Sequence, residues 1–105
     1  MAFINCAYDN YMDIIFDPDK DVINQHKHGY SLADAWRLDW ENMVIFEDDR
    51  FDYGEIRYVG LTYGLAYLDN RIFSVCFTEF SDFAVCRVIS LRLATKQEMR
   101  RYAEA

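Results

Sequence analysis

Arginine interrupts otherwise apolar stretches of the chain at Arg57, Arg87 and Arg92. A guanidinium stays charged at physiological pH and offers a planar fork of donors, so it is rarely set in an apolar run unless it is paired or holds an anion. Two readings follow: salt bridges to the acidic segments, or fixed donors for an anion, of which phosphate suits the fork well. Arg87 and Arg92 are an odd number of residues apart, so a regular strand sends them to opposite faces. They converge only across a bulge or at a strand end. Between Arg87 and Arg101 only Glu98 opposes the positive charges, which makes Lys96 and Arg100 candidates for contact with a charged substrate. His26 and His28, two apart on a helix, point in different directions. No Cys or third His completes a ligand set, so no metal and no cofactor are expected. His28, beside Lys27 and before Gly29, suits a helix end, meeting the last carbonyls; the alternative is a phosphate-facing role. There is no nucleophile elbow and no glycine-rich phosphate loop.

The elements that must position these groups can be read from caps and periodicity. Ile14-Ile15-Phe16 suggests a short strand. Asp17-Pro18 is a good helix start, and Gly29 a stop after His28. Val22 and Ile23 supply little apolar face, which puts this helix on the surface. Ser31 is the next N-cap, and Leu32, Ala35 and Trp36 recur at helical spacing to about residue 39. Met43 to Phe46 reads as a strand, and Glu47 to Asp52 as a solvated turn. Strands follow over about 55–63, 71–79 and 83–93, joined at Gly64 with Asp69-Asn70 and at Ser81-Asp82. Thr95-Lys96-Gln97-Glu98 is a capping box that opens a C-terminal helix. The expected layout is α+β: an N-terminal helical pair, an antiparallel meander of about four strands, and one helix.

One domain is expected over residues 1–105, with 1–13 as an N-terminal arm. Eight Tyr, eight Phe and two Trp supply ample core. Tyr8, Tyr11, Tyr53, Tyr58, Tyr63 and Tyr67 are too many to bury with satisfied hydroxyls, so some should form a contact patch for a partner. Cys6, Cys76 and Cys86 match no metal knuckle, and Cys76 and Cys86 read as buried thiols. The first fifteen residues do not read as a signal peptide, and no apolar run reaches membrane-spanning length, so a cytoplasmic protein is expected. Residues 1–55 hold 4 basic and 13 acidic side chains, and residues 56–105 hold 7 and 5. A net charge of −7 argues against strong non-specific nucleic-acid binding but leaves room for a local basic pocket.

Asp17-Pro18-x-Lys20, Asn24-x-x-Lys27-His28-Gly29-Tyr30-x-Leu32-x-x-Ala35, Glu55-x-Arg57-Tyr58 with Gly60, Arg87-Val88-Ile89-Ser90-x-Arg92 and Ala94-Thr95-Lys96-x-Glu98-x-Arg100-x-Tyr102 run in order through residues 14–102. Together they resemble the BrnT family, the toxins of a type II toxin–antitoxin pair. The resemblance implies a RelE-like fold, metal-independent cleavage of RNA, and a small DNA-binding antitoxin (BrnA-like) that covers the active face, with a homodimer or a heterotetramer as the assembly. By position it implies a functional set of Lys27, His28, Glu55, Arg57, Arg87 and Arg92. The chain departs from the family pattern at Phe77 (usually His), Phe80 (commonly Arg) and Leu93 (usually basic). Those departures leave a second reading open: a BrnT-fold protein, weakened or inactive in catalysis, that works only by binding a protein partner.

Overall fold

The computed structural model describes every residue except 1, 6–11, 51, 66, 67 and 69. Its elements in chain order are β1 (Ala2–Asn5), β2 (Asp13–Phe16), α1 (Pro18–His28), a 3₁₀ helix (Leu32–Arg37), β3 (Val44–Asp48), β4 (Arg57–Tyr63), β5 (Ile72–Phe80), β6 (Val85–Leu93) and α2 (Lys96–Glu104). The architecture is α+β, as expected. The described residues form one six-stranded sheet in the order β1-β2-β6-β5-β4-β3. Strands β3 to β6 are the antiparallel meander that the turn signals predict. The sheet nevertheless exceeds the expected four strands and is mixed, because β2 pairs parallel to β6 and β1 antiparallel to β2. The short strand suggested at Ile14–Phe16 is β2; four-residue β1 carries too little alternation to be told from irregular chain, so part of the expected arm proves to be sheet edge. Cys6, Tyr8, Tyr11 and Tyr67 lie outside the described residues.

The core occupies one face of the sheet, where Ile14, Phe73, Val75, Phe77, Cys86, Val88 and Leu91 meet Leu32, Ala35 and Leu38. Those last three recur every third residue. That period belongs to a 3₁₀ helix rather than an α-helix, and it explains why the second member of the expected helical pair takes that form. Asp21 of α1 accepts from the Leu32 N–H at 2.6 Å and from the Ser31 hydroxyl at 2.9 Å, which ties the pair together. Cys86 is buried, and Cys76, a free thiol, is half-buried. Tyr58 packs on Phe77 at 5.7 Å between ring centroids, so it serves the core rather than a partner patch.

The ends of α1 are those expected. The Asp17 carboxylate accepts from the Asp19 N–H at 2.9 Å, and Gly29, at φ 81°, turns left-handed and donates to the Gln25 carbonyl. Val22 and Ile23 are exposed. What holds the helix to the sheet is a polar residue, Asn24, which is 4% exposed. Its Nδ2 donates to the carbonyls of Tyr30 (2.8 Å) and Leu91 (2.9 Å), and its Oδ1 accepts from the Leu91 N–H at 3.1 Å. The pairing of β2 with β6 ends at Arg87. Past that point one side chain satisfies the β6 backbone that no strand reaches. α2 crosses the opposite face. Its capping box is present, with the Glu98 N–H bonded to Thr95 Oγ1 (3.1 Å) and the Thr95 N–H to Glu98 Oε1 (2.9 Å). The helix leans on the sheet through Arg101, whose guanidinium lies 3.7 Å from the Phe46 ring centre, and through Tyr102 against Tyr63.

Candidate functional site

Arg87 and Arg92 share a face because β6 is bulged. Cys76 pairs with Ser90 but Phe77 with Val88, so Ile89 is an extra residue that shifts the alternation. Buried Cys86, Val88 and Leu91 therefore all point to the core, and Arg87 and Arg92 both point to the face crossed by α2. Arg57 joins them: Tyr58 pairs with Phe77, so the same register brings Arg57 level with Thr78, which pairs with Arg87. Asp48 pairs with Arg57 from β3. A polar row of Asp48, Arg57, Thr78 and Arg87 thus runs straight across four strands. The adjoining row, Phe46, Val59, Cys76 and Ser90, forms a floor between it and Arg92. A cleft of about 570 Å³ opens over this face, lined among others by Phe46, Arg50, Val59, Arg92, Glu98 and Arg101.

Two carboxylates organise the arginines. Glu55 Oε1 accepts from Arg87 Nη2 at 2.6 Å and from Arg57 Nε at 3.3 Å. Glu98 binds Arg92 through two parallel bonds, of 2.7 and 3.1 Å. Burial works against the Glu98 carboxylate, but the bonds from Arg92 and the Thr95 N–H hold its pKa below the usual value. Glu98 therefore both caps α2 and fixes Arg92. His28, at the end of α1, is half-buried, and burial followed by the charges of Lys27 and Arg92 lowers its pKa below 6.5. That field sets Lys27 and His28 near the Arg92 end of the face, with Glu55, Arg57 and Arg87 at the other end. Lys96 and Arg100 stand exposed on α2.

Glu55, expected to open the next strand, sits just before β4, beyond the expected solvated turn of Glu47 to Asp52. Within that turn Glu47, Asp49, Arg50 and Asp52 are exposed as expected, but Asp48 is buried, at 6% exposed. Its carboxylate takes Arg50 Nε at 2.8 Å, Arg50 Nη2 at 2.9 Å and the Tyr53 hydroxyl at 3.1 Å. The Tyr53 ring in turn lies 4.0 Å from the Arg57 guanidinium. Asp48 thus anchors the segment that carries Glu55. Sequence reasoning passed over it because four acidic residues in a six-residue span look solvated; the available signal was its alternation with Val44 and Phe46. The hydrogen bonds from Arg50 hold the Asp48 carboxyl at about 2 against an ordinary 3.8. Its contribution to stability is therefore full above pH 3.8 and is lost as pH falls through about 2. Asp48→Asn is expected to destabilise the fold by about 1 kcal/mol, or roughly 4–8 °C in Tm, since the Arg50 partner is largely solvated. Thermal melts across pH 2–7 check this; a gap from wild type that does not close on acidification would refute it.

The three departures from the family pattern fall in different places. Phe77 is fully buried in the core, on the face away from the arginines, so its identity takes nothing from the arginine row. Phe80 lies on the arginine face, two residues beyond Thr78, and is 46% exposed. Leu93 pairs with Phe73 at the far end of β6.

No curated protein matches the chain. A family model described as the ribonuclease toxin BrnT of type II toxin–antitoxin systems matches residues 16–98, which run from the end of β2 into the first turn of α2 and take in both carboxylates and all three strand arginines. With that match spanning most of its length, the chain belongs to the BrnT family of ribonuclease toxins of type II toxin–antitoxin systems.

Proposed function

We propose that the chain is a metal-independent endoribonuclease, RelE-like in fold, that acts in the cytoplasm and is neutralised by a small DNA-binding antitoxin covering the arginine face. The observation that carries this reading is the bulge in β6, which brings Arg92 onto the open face where the strand register already aligns Arg87 with Arg57, with Glu55 between those two. In this mechanism the RNA 2′-hydroxyl attacks the adjacent phosphate, the P–O5′ bond breaks, and the products are a 2′,3′-cyclic phosphate and a free 5′-hydroxyl. Glu55, in contact with the arginines that would hold the phosphate, takes the 2′-hydroxyl proton. Arg57 and Arg87 stabilise charge building on the phosphoryl oxygens. Arg92, Lys96 and Arg100 hold neighbouring phosphates. The test is cleavage of a labelled RNA by the partner-free protein in excess EDTA; folded protein that leaves the RNA intact refutes the reading.

The leaving 5′-oxygen needs a proton. His28 is neutral at pH 7, because burial, Lys27 and Arg92 all press its pKa below 6.5. It is therefore a poor acid there, and, with Lys27 beside it at the Arg92 end and away from Arg57 and Arg87, a water molecule at the leaving oxygen supplies the proton. Deprotonation of His28 then falls below its ordinary range and is not coupled to the cleavage rate. The cleavage rate is expected to show no His28-dependent fall between pH 6.5 and 8. A fall in that window that disappears in His28→Ala would transfer the acid role to His28.

A second reading rests on the same ion pairs. Glu55 and Glu98 between them engage all three strand arginines, which is also what a binding module without catalysis would show. Cleavage in EDTA separates the two.

A further inference from the structure

Two buried donors at the centre of the arginine row lack a partner: the Thr78 hydroxyl and Arg87 Nε–H. Thr78 is 3% exposed, and it stands between Arg57 and Arg87 in the cross-strand register. Buried polar groups are nearly always satisfied, so two orphans side by side call for an explanation. Among the described residues the anion bonded to the row's arginines is Glu55, and it meets them through a single oxygen, Oε1. A planar carboxylate projects its acceptors in one plane. A tetrahedral oxyanion presents oxygens in several directions at once, and so could engage Arg57, both faces of the Arg87 fork and a hydroxyl below them.

We propose that Arg57, Thr78 and Arg87 form the seat of a tetrahedral phosphate, that Glu55 fills it in the ligand-free chain, and that an entering phosphate displaces Glu55. This deepens the ribonuclease reading and rests on it. Displacement matters for the chemistry, because a carboxylate clamped by two guanidinium groups has Oε1 engaged and stands where the phosphate must sit. Expelled by the phosphate, the same carboxylate is free beside it to accept the 2′-hydroxyl proton. Substrate binding and activation of the base become one event. Thr78 is thereby a substrate-binding residue, supplying a donor that the pairing with Glu55 leaves unused.

The experiment is a titration of the ¹⁵N-labelled chain with adenosine 3′-monophosphate, read from backbone amide shifts, beside RNA cleavage in EDTA. Thr78→Val removes the hydroxyl and keeps the shape; its affinity is expected to fall about 5–10-fold, the worth of one hydrogen bond to a charged group. Thr78→Ser keeps the hydroxyl and binds within about twofold of wild type, and it serves if the valine variant does not fold. Glu55→Gln removes the competing charge, so it binds the nucleotide more tightly than wild type while cleaving RNA more slowly. Equal affinity in wild type and Thr78→Val, or weaker binding in Glu55→Gln, overturns the seat even if RNA is cleaved. The expected binding pattern with no cleavage by wild type keeps the seat and removes the nuclease.

Discussion

Arg87→Ala is expected to slow RNA cleavage roughly 100–1000-fold, the usual loss when a fixed donor to a developing oxyanion is removed. The protein should stay folded. Arg87 pairs with Glu55 where both side chains are about one-third exposed, and pairs in that setting contribute little to stability. The rate, by contrast, depends on a charge held in place by its neighbours across the sheet before the substrate arrives. Arg87→Lys should recover only a fraction of the rate, since an ammonium keeps the charge and loses the fork. Arg92→Ala is a useful contrast, because Arg92 is bound at both nitrogens by the same Glu98 that caps α2. Its loss should weaken the start of α2 as well as phosphate contact. Single-turnover cleavage in EDTA, with melting curves for each variant, checks the set. An Arg87→Ala protein that cleaves at the wild-type rate removes this strand from the chemistry.

Much of the fold was legible where local chemistry decides it. Asp17-Pro18 and Gly29 bracket α1, the Thr95–Glu98 box opens α2, and turn residues separate the strands of the meander. What was not legible depends on distant partners. The strand at Ile14–Phe16 could be read from its residues, but β1 is a strand only because β2 offers it an edge, and no four-residue segment announces such a partner. The segment over Leu32–Arg37 was read as helical on spacing, but its buried residues repeat every third position. The site shows the same division. Arg57, Arg87 and Arg92 stood out as charges inside apolar strands, and the condition under which two of them would converge, a bulge, could be stated in advance. That the bulge exists at Ile89 follows from pairing with β5, which one strand's sequence does not contain. Thr78 gave no signal, since a threonine in a strand is ordinary. Its interest lies in which neighbours it has and which bond it lacks.

Asn24→Ala is expected to be the most damaging single truncation outside the apolar core, at about 2–4 kcal/mol or roughly 10–25 °C in Tm. The substitution removes three hydrogen bonds at once and strands the N–H and the carbonyl of Leu91 in a buried setting. Neither group has another strand to turn to, because β2 stops pairing with β6 at Arg87. Nor can water replace the amide without opening the contact between helix and sheet. Val22 and Ile23 on the same helix, at 54% and 62% exposed, should tolerate alanine within about 0.5 kcal/mol, so a helix bearing two apolar residues is held by its asparagine. Asn24→Asp separates the parts of the effect. It keeps an acceptor for the Leu91 N–H, loses both donors, and sets a charge against two carbonyls, so it too should destabilise. The consequence reaches the site, because α1 ends in Lys27 and His28 and the field that lowers the His28 pKa includes Arg92. If Asn24 is what holds that end against β6, then in Asn24→Ala, below its melting temperature, the His28 pKa should rise back toward 6.5 as the helix end moves out into solvent and away from Arg92. An NMR titration of the His28 ring measures this directly. A wild-type pKa in a clearly destabilised Asn24→Ala protein would show that the position of α1 is set elsewhere, with the asparagine serving the strand and not the site.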